Sequence, residues 1–176
     1  MKRARIQFAM AVAAAAALGW GTVAVAADDR DGETLTGYEE VPALSTPGVG
    51  EFRTSVSRTA VRYKLTFSDL ETAATQAHIH FENATNNGPI VVFLCSNLGN
   101  GPAGTQACPA AGGTIRGTIT PADIGAGAAA QGLAAGEFDE FVRAIRAGAT
   151  YVNVHSADRP GGEIRAQLGD HDRGRD

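Results

Sequence analysis

Residues 60–67 read Ala-Val-Arg-Tyr-Lys-Leu-Thr-Phe, with Val61, Tyr63, Leu65 and Phe67 at one parity and Arg62, Lys64 and Thr66 at the other. A period of two belongs to an extended strand, so this segment is a strand with one buried and one wet face. Residues 50–56 repeat the pattern through Phe52, Thr54 and Val56, and Ser57-Arg58-Thr59 supplies a turn that makes the two a hairpin. Further short segments of this kind lie at 33–38, 74–82, 89–95, 113–119, 149–155 and 162–168, separated by Gly, Pro, Asn or Ser. Eight short strands in one chain of 176 residues imply a mainly β fold, expected to be an antiparallel β-sandwich or, failing that, a barrel. That length is one domain's worth and is enough to bury a core.

One stretch departs from the strand pattern. Residues 137–147 place Phe138, Phe141, Val142 and Ile145 at helical spacing, with acids first, arginines last and Gly148 after them, which predicts one short amphipathic helix packed on the sheet. Thr120-Pro121-Ala122-Asp123 reads as a helix start, with Thr as cap and an acid three residues on. Between them, 125–136 is a Gly/Ala-rich loop.

The ends carry different messages. Lys2, Arg3 and Arg5 precede an apolar run from Ile6 to Val25 and a small-residue exit at Ala26-Ala27, the layout of a signal peptide over residues 1–27. A retained membrane anchor is the alternative, but the small-residue exit and the acidic leader over 28–32 favour removal, with no stable membrane span left afterwards. The domain is expected over 33–168, followed by a charged, disordered tail over 169–176 that contains His171. Cleavage would take three basic residues and no acid, moving the net charge from −4 to −7 and leaving Lys64 as the sole lysine. Such a chain is not built for nucleic acid, which demands clustered Lys and Arg; its partner is an unidentified protein or small ligand. The expected setting is the periplasm or the extracellular space.

Export bears on the cysteines. Cys95 and Cys108 are the only two, they flank a loop with three glycines and a proline, and an oxidising compartment lets them close a disulfide. A blue-copper set of His, Cys and axial Met cannot be assembled instead, because Met1 and Met10 both lie in the signal segment.

Three of the four histidines are candidates for chemistry. In Ala77-His78-Ile79-His80-Phe81 the alternation sends both imidazoles to the face opposite Ile79, and in Tyr151-Val152-Asn153-Val154-His155 it sends His155 with Asn153 away from the two valines. If the two strands are neighbours, His78, His80 and His155 form a three-nitrogen site for copper or zinc. Glu163, on the same side of its strand as Arg165, is the first choice for a supporting carboxylate, and Glu40 is the other acid considered. The competing reading is an exposed strand face whose histidines hydrogen-bond to nearby carboxylates or carbonyls. No Gly-x-Ser-x-Gly, His-Glu-x-x-His or phosphate-binding Gly-rich loop occurs, so no catalytic residue is assigned and the chain is read as non-enzymatic. Asn83-Ala84-Thr85 matches a glycosylation acceptor, relevant only in a glycosylating cell.

Taken in order, several blocks resemble the CHRD (chordin-type) domain family: Leu35-Thr36-Gly37-Tyr38-Glu39-Glu40-Val41-Pro42, Ala77-His78-Ile79-His80, Gly88-Pro89-Ile90-Val91-Val92-Phe93-Leu94-Cys95, Gly117-Thr118-Ile119-Thr120, Ile145-Arg146-Ala147-Gly148, Tyr151-Val152-Asn153-Val154-His155-Ser156 and Pro160-Gly161-Gly162-Glu163-Ile164-Arg165-Ala166-Gln167-Leu168. Ala166 stands where that pattern usually has Gly, and the Gly/Ala insertion before the helix is longer than usual. The resemblance implies a compact β domain and an extracellular setting, with a binding or envelope-structural role. The growth-factor antagonism of chordin-like proteins goes with cysteine-rich modules that this chain lacks. The His-x-His pair with a later His is also similar to copper/zinc superoxide dismutases, but those use more histidines than the three at hand, which argues against that mechanism and leaves simple copper or zinc binding open.

Overall fold

A computed structural model describes residues 32–169. The expected signal segment, all but one residue of the acidic leader and all but one of the charged tail lie outside them. The strands are β1 (Glu33–Thr36), β2 (Val49–Val56), β3 (Val61–Ser68), β4 (Ala74–Phe81), β5 (Ile90–Ser96), β6 (Gly113–Ile119), β7 (Thr150–Ser156) and β8 (Ile164–Leu168), and the helix α1 (Phe138–Arg146) precedes β7. All pair antiparallel in one eight-stranded sheet of order β5-β4-β7-β8-β1-β2-β3-β6. The sheet rolls until its two edges, β5 and β6, face each other, so the sandwich-like body is a nearly closed barrel.

Alternation builds the interior. Val61, Tyr63, Leu65 and Phe67 of β3 are buried together with Phe52, Ile79, Val152, Val154 and Ile164, and Phe138, Phe141 and Ile145 of α1 join the same core. The helix forms because its apolar residues recur every three or four positions while Asp139 and Glu140 occupy its first turn and Arg143 and Arg146 its last. Gly148, at φ +72°, ends it in a conformation that residues with a Cβ adopt with strain. The expected start at Thr120 caps only a single 3-10 turn, Pro121–Asp123, where Asp123 accepts from the backbone and hydroxyl of Thr120. Likewise β1 is shorter than its pattern, because the chain turns into a 3-10 turn at Gly37–Glu39.

The seam between β5 and β6 is closed by side chains. The Tyr63 hydroxyl reaches across to donate to Leu94 O at 3.2 Å, and the Gln106 amide donates to Leu94 O at 3.0 Å and to Arg116 O at 3.3 Å. Gly117, paired with Tyr63, permits this: a Cβ there would stand 2.5 Å from the tyrosine ring. The disulfide between Cys95 and Cys108 is formed, and it holds the loop carrying Gln106 against the end of β5, where Ser96 N donates to Gln106 O at 2.9 Å. Two edge carbonyls, Leu94 O and Arg116 O, are thereby paired although no ladder joins β5 to β6.

Candidate metal centre

The outer face of β4, β7 and β8 is not wet. Register places His80 opposite Tyr151, His78 opposite Asn153 and Gln76 opposite His155, while Tyr151 and Asn153 face Gln167 and Arg165 on β8. This layer is buried under three loops: His78 is 0 % exposed, His80 7 % and His155 5 %, and Arg165 is 1 % exposed. The exposed face of the competing reading is thus corrected, although its histidine-to-carbonyl bonds are present, and the reason is non-local: segments 40–48, 82–89 and 157–162 fold over it. They are fastened by Asn87 Nδ2 donating to Val41 O at 2.7 Å, by Arg165 donating to Asn83 O, Asn86 O and Asn87 Oδ1, and by Gln167 donating to Glu82 O.

Within this layer the three histidines converge. One ring nitrogen from each of His78, His80 and His155 lies within 4.8 Å of the other two. Donors held 2.0–2.1 Å from a shared ion lie within about 4 Å of one another, a limit that His78 Nδ1 and His155 Nε2 already meet at 3.2 Å. On β4 the pairing with β5 shifts between Ala77 and His78 and again between Ile79 and His80, so the His-x-His pair sits between two irregularities of the ladder.

The hydrogen bonds dictate the tautomers. His80 Nδ1 donates to Gly88 O at 2.9 Å and His155 Nδ1 donates to Pro160 O at 3.0 Å, which leaves the Nε2 lone pair of each pointing away from the loop. With its Nδ1 protonated, His155 accepts at Nε2 from His78 Nδ1 at 3.2 Å, and Asn153 Oδ1 lies 3.0 Å from the same nitrogen. The Nε2 atoms of His78 and His80 are buried with no partner at all. His80 alone combines a main-chain carbonyl on Nδ1–H with a bare Nε2, the arrangement by which metal-binding histidines are oriented.

The electrostatics keep the rings neutral. Burial pushes His78 down to about 3, helped by the charges that His155 and His80 would carry, and pushes His155 down to about 4 against the pull of the Pro160 carbonyl. Burial also lowers His80, against its bond to the Gly88 carbonyl and with the help of the Arg165 charge. A neutral imidazole is the form that binds a metal.

Of the two acids considered from sequence, Glu163 goes elsewhere. Its N–H donates to Val154 O, the carbonyl of the residue paired with Ile164, so residues 163 and 164 both lie opposite Val154. This bulge takes Glu163 out of strict alternation with Arg165, and its Oε1 accepts from Thr46 Oγ1 at 2.6 Å and Glu71 N at 2.8 Å. Glu40 is the carboxylate that reaches the layer. It is buried, hydrogen-bonded to Asn153 and close enough to Arg165 to feel its charge, and its Oε1 lacks a partner. Burial raises it to about 7 despite those contacts. Gly162 makes the room, since a Cβ there would lie 2.5 Å from Glu40 Oε1 and 2.7 Å from Asn153 Nδ2.

Sequence reasoning passed over the aromatic and cationic part of the layer. The Arg165 guanidinium lies 3.4 Å above the Tyr151 ring, and the other neighbour of that ring is His80, parallel to it within 2° at 4.6 Å. Tyr151 accepts from Gly88 N at 3.2 Å, which fixes the residue whose carbonyl orients His80. The available signal was parity: Tyr151, Asn153 and His155 alternate with two valines, and Arg165 and Gln167 flank Ala166.

A disulfide-closed antiparallel barrel with a three-imidazole cluster sealed beneath its loops is the class of domain these features define. The chain belongs to the CHRD domain family, whose model matches residues 32–168. Comparison with curated proteins and with solved structures yields no match. Among the described residues no helix is long and apolar enough to cross a membrane.

Proposed function

We propose that this CHRD domain is an exported, non-enzymatic binding protein whose ligand is a single transition-metal ion, copper or zinc, held by His78, His80 and His155. The observation that carries the reading is the convergence of three buried imidazoles in which His78 Nε2 and His80 Nε2 are bare, with His80 and His155 fixed through Nδ1 by Gly88 O and Pro160 O. A merely structural histidine network would be expected to satisfy its buried nitrogens, because an unpaired buried polar atom costs about 1–3 kcal/mol. Glu40 and Asn153 complete the surroundings by tying the cluster to a carboxylate through one amide. Export is supported by the N-terminal sequence pattern and by the disulfide.

The test is metal titration of purified, metal-stripped protein, wild type against His78→Ala, followed by elemental analysis. One equivalent of copper or zinc retained by wild type and lost in the variant is the expected result. No retention of either metal by wild type leaves the second reading, in which the domain serves a structural or protein-binding role through its surface and the polar layer merely clamps the loops.

A further inference from the structure

The charge inventory of the cluster goes a step beyond metal binding. The three ligands are neutral imidazoles with no cysteine or carboxylate among them. The nearest buried ionic groups are Arg165, stacked through Tyr151 onto His80, and Glu40, held through Asn153 next to His155. Arg165 is cationic, and Glu40, which burial raises to about 7, offsets at most that one charge, so the pair supplies no net negative charge to an ion placed here. The electrostatic cost of burying an ion rises with the square of its charge, so a dication with neutral ligands faces about four times the cost of a monocation in the same cavity.

Coordination number points the same way. Zinc in protein sites is tetrahedral and needs a fourth donor, whereas a d10 monocation is satisfied by two or three nitrogens. The cluster offers three, and the loops that bury it leave His78 0 % exposed.

Resting on the metal-binding reading above, we infer that the His78–His80–His155 centre is selective for a univalent soft cation, Cu(I), over Zn(II) and Cu(II). Arg165 is the residue that sharpens the selectivity. Its positive charge repels a dication twice as strongly as a monocation, while its bonds to Asn83, Asn86 and Asn87 hold in place the loop whose Gly88 carbonyl orients His80.

The experiment is competition for metal by the metal-free, disulfide-intact protein under anaerobic conditions. Cu(I), kept reduced with ascorbate, is set against a bicinchoninate competitor, and Zn(II) and Cu(II) are each set against a chromophoric chelator. The expected result is one Cu(I) per chain, bound at least 100-fold more tightly than either dication. A 100-fold preference over Cu(II) appears independently as a copper potential raised by about 120 mV, at 59 mV per tenfold for one electron. Arg165→Gln is expected to narrow the Cu(I)/Zn(II) ratio at least tenfold and Arg165→Lys to keep it. Glu40→Gln, which removes the offsetting negative charge without disturbing the loop bonds of Arg165, is expected to widen it and reads the same argument if Arg165→Gln does not fold.

Zn(II) bound in one equivalent as tightly as Cu(I) overturns the inference and leaves the metal reading standing. A ratio that Glu40→Gln does not widen overturns the electrostatic origin assigned here. Failure to bind any of the three ions removes the metal reading itself.

Discussion

Acid should destabilise the metal-free domain, and the size of the effect follows from two opposing groups. His78 and His155 titrate near 6.5 when unfolded but only near 3 and 4 in the folded domain. Below pH 6.5 the unfolded chain therefore binds more protons, and stability is lost as pH falls. Between pH 7 and 5 each of the two histidines removes about 2 kcal/mol, at 1.36 kcal/mol per unit, giving about 4 kcal/mol together. Glu40 acts in reverse. Its folded value of about 7 lies above the unfolded 4.5, so its protonation favours the fold as pH drops and returns about 2 kcal/mol over the same interval. The net expectation is a loss of at least about 2 kcal/mol, since the lowered His80 adds in the same direction, and that is large against the 5–15 kcal/mol that holds a domain together. The only tryptophan, Trp20, lies outside residues 32–169, so far-UV circular dichroism is the suitable probe of urea unfolding of the domain. With a slope of about 2 kcal/mol/M the midpoint should fall by at least about 1 M from pH 7 to pH 5, and by at least about 2 M in Glu40→Gln, where the offset is gone. A midpoint in Glu40→Gln that is unchanged or higher at pH 5 would refute the claim that burial keeps these imidazoles neutral.

Three other outcomes are expected. Replacing Cys95 and Cys108 together by Ala should cost about 3 kcal/mol of stability and loosen the β5–β6 seam, read as faster amide exchange in residues 94–108; unaltered exchange there would show that Gln106 and Tyr63 hold the seam alone. Phe67→Ala, at a core position 1 % exposed, should cost about 3–5 kcal/mol, and a near-neutral result would contradict the packing of β3. His78→Leu should abolish metal binding and cost at most about 2 kcal/mol of stability at pH 7, because losing the Nδ1–H that His155 Nε2 accepts is offset by removal of an unpartnered buried nitrogen; a loss above about 3 kcal/mol would mark the polar layer as a structural clamp.

Most of the fold was legible because strand alternation is a local property. The inward set of β3, the hairpin with β2 and the helix with its charge ordering all follow from residues no more than about ten apart, and the structure places them as the pattern requires. The closure of the sheet was not legible. It depends on Tyr63 and Gln106 finding Leu94, contacts set by the curvature of the whole barrel and by Gly117 being small enough to let a ring pass. Boundaries moved by a residue or two wherever a turn competes with the strand, as at Gly37 and at Ile164.

For the site, parity alone brought His78, His80 and His155 to one face, but it could say nothing of what covers that face. Burial comes from loops distant in sequence, and it changes the chemistry: the same imidazoles that would titrate near neutrality on an open strand are held uncharged beneath residues 82–89 and 157–162. Choosing between the two acids also lay beyond a period-two argument, since the bulge at Glu163 breaks the period at the residue where it was applied. Glu40 instead arrives from a segment with no strand pattern, through a gap that exists only because Gly162 has no side chain. What is local in this domain fixes which nitrogens share a face, and what is non-local determines their burial and protonation.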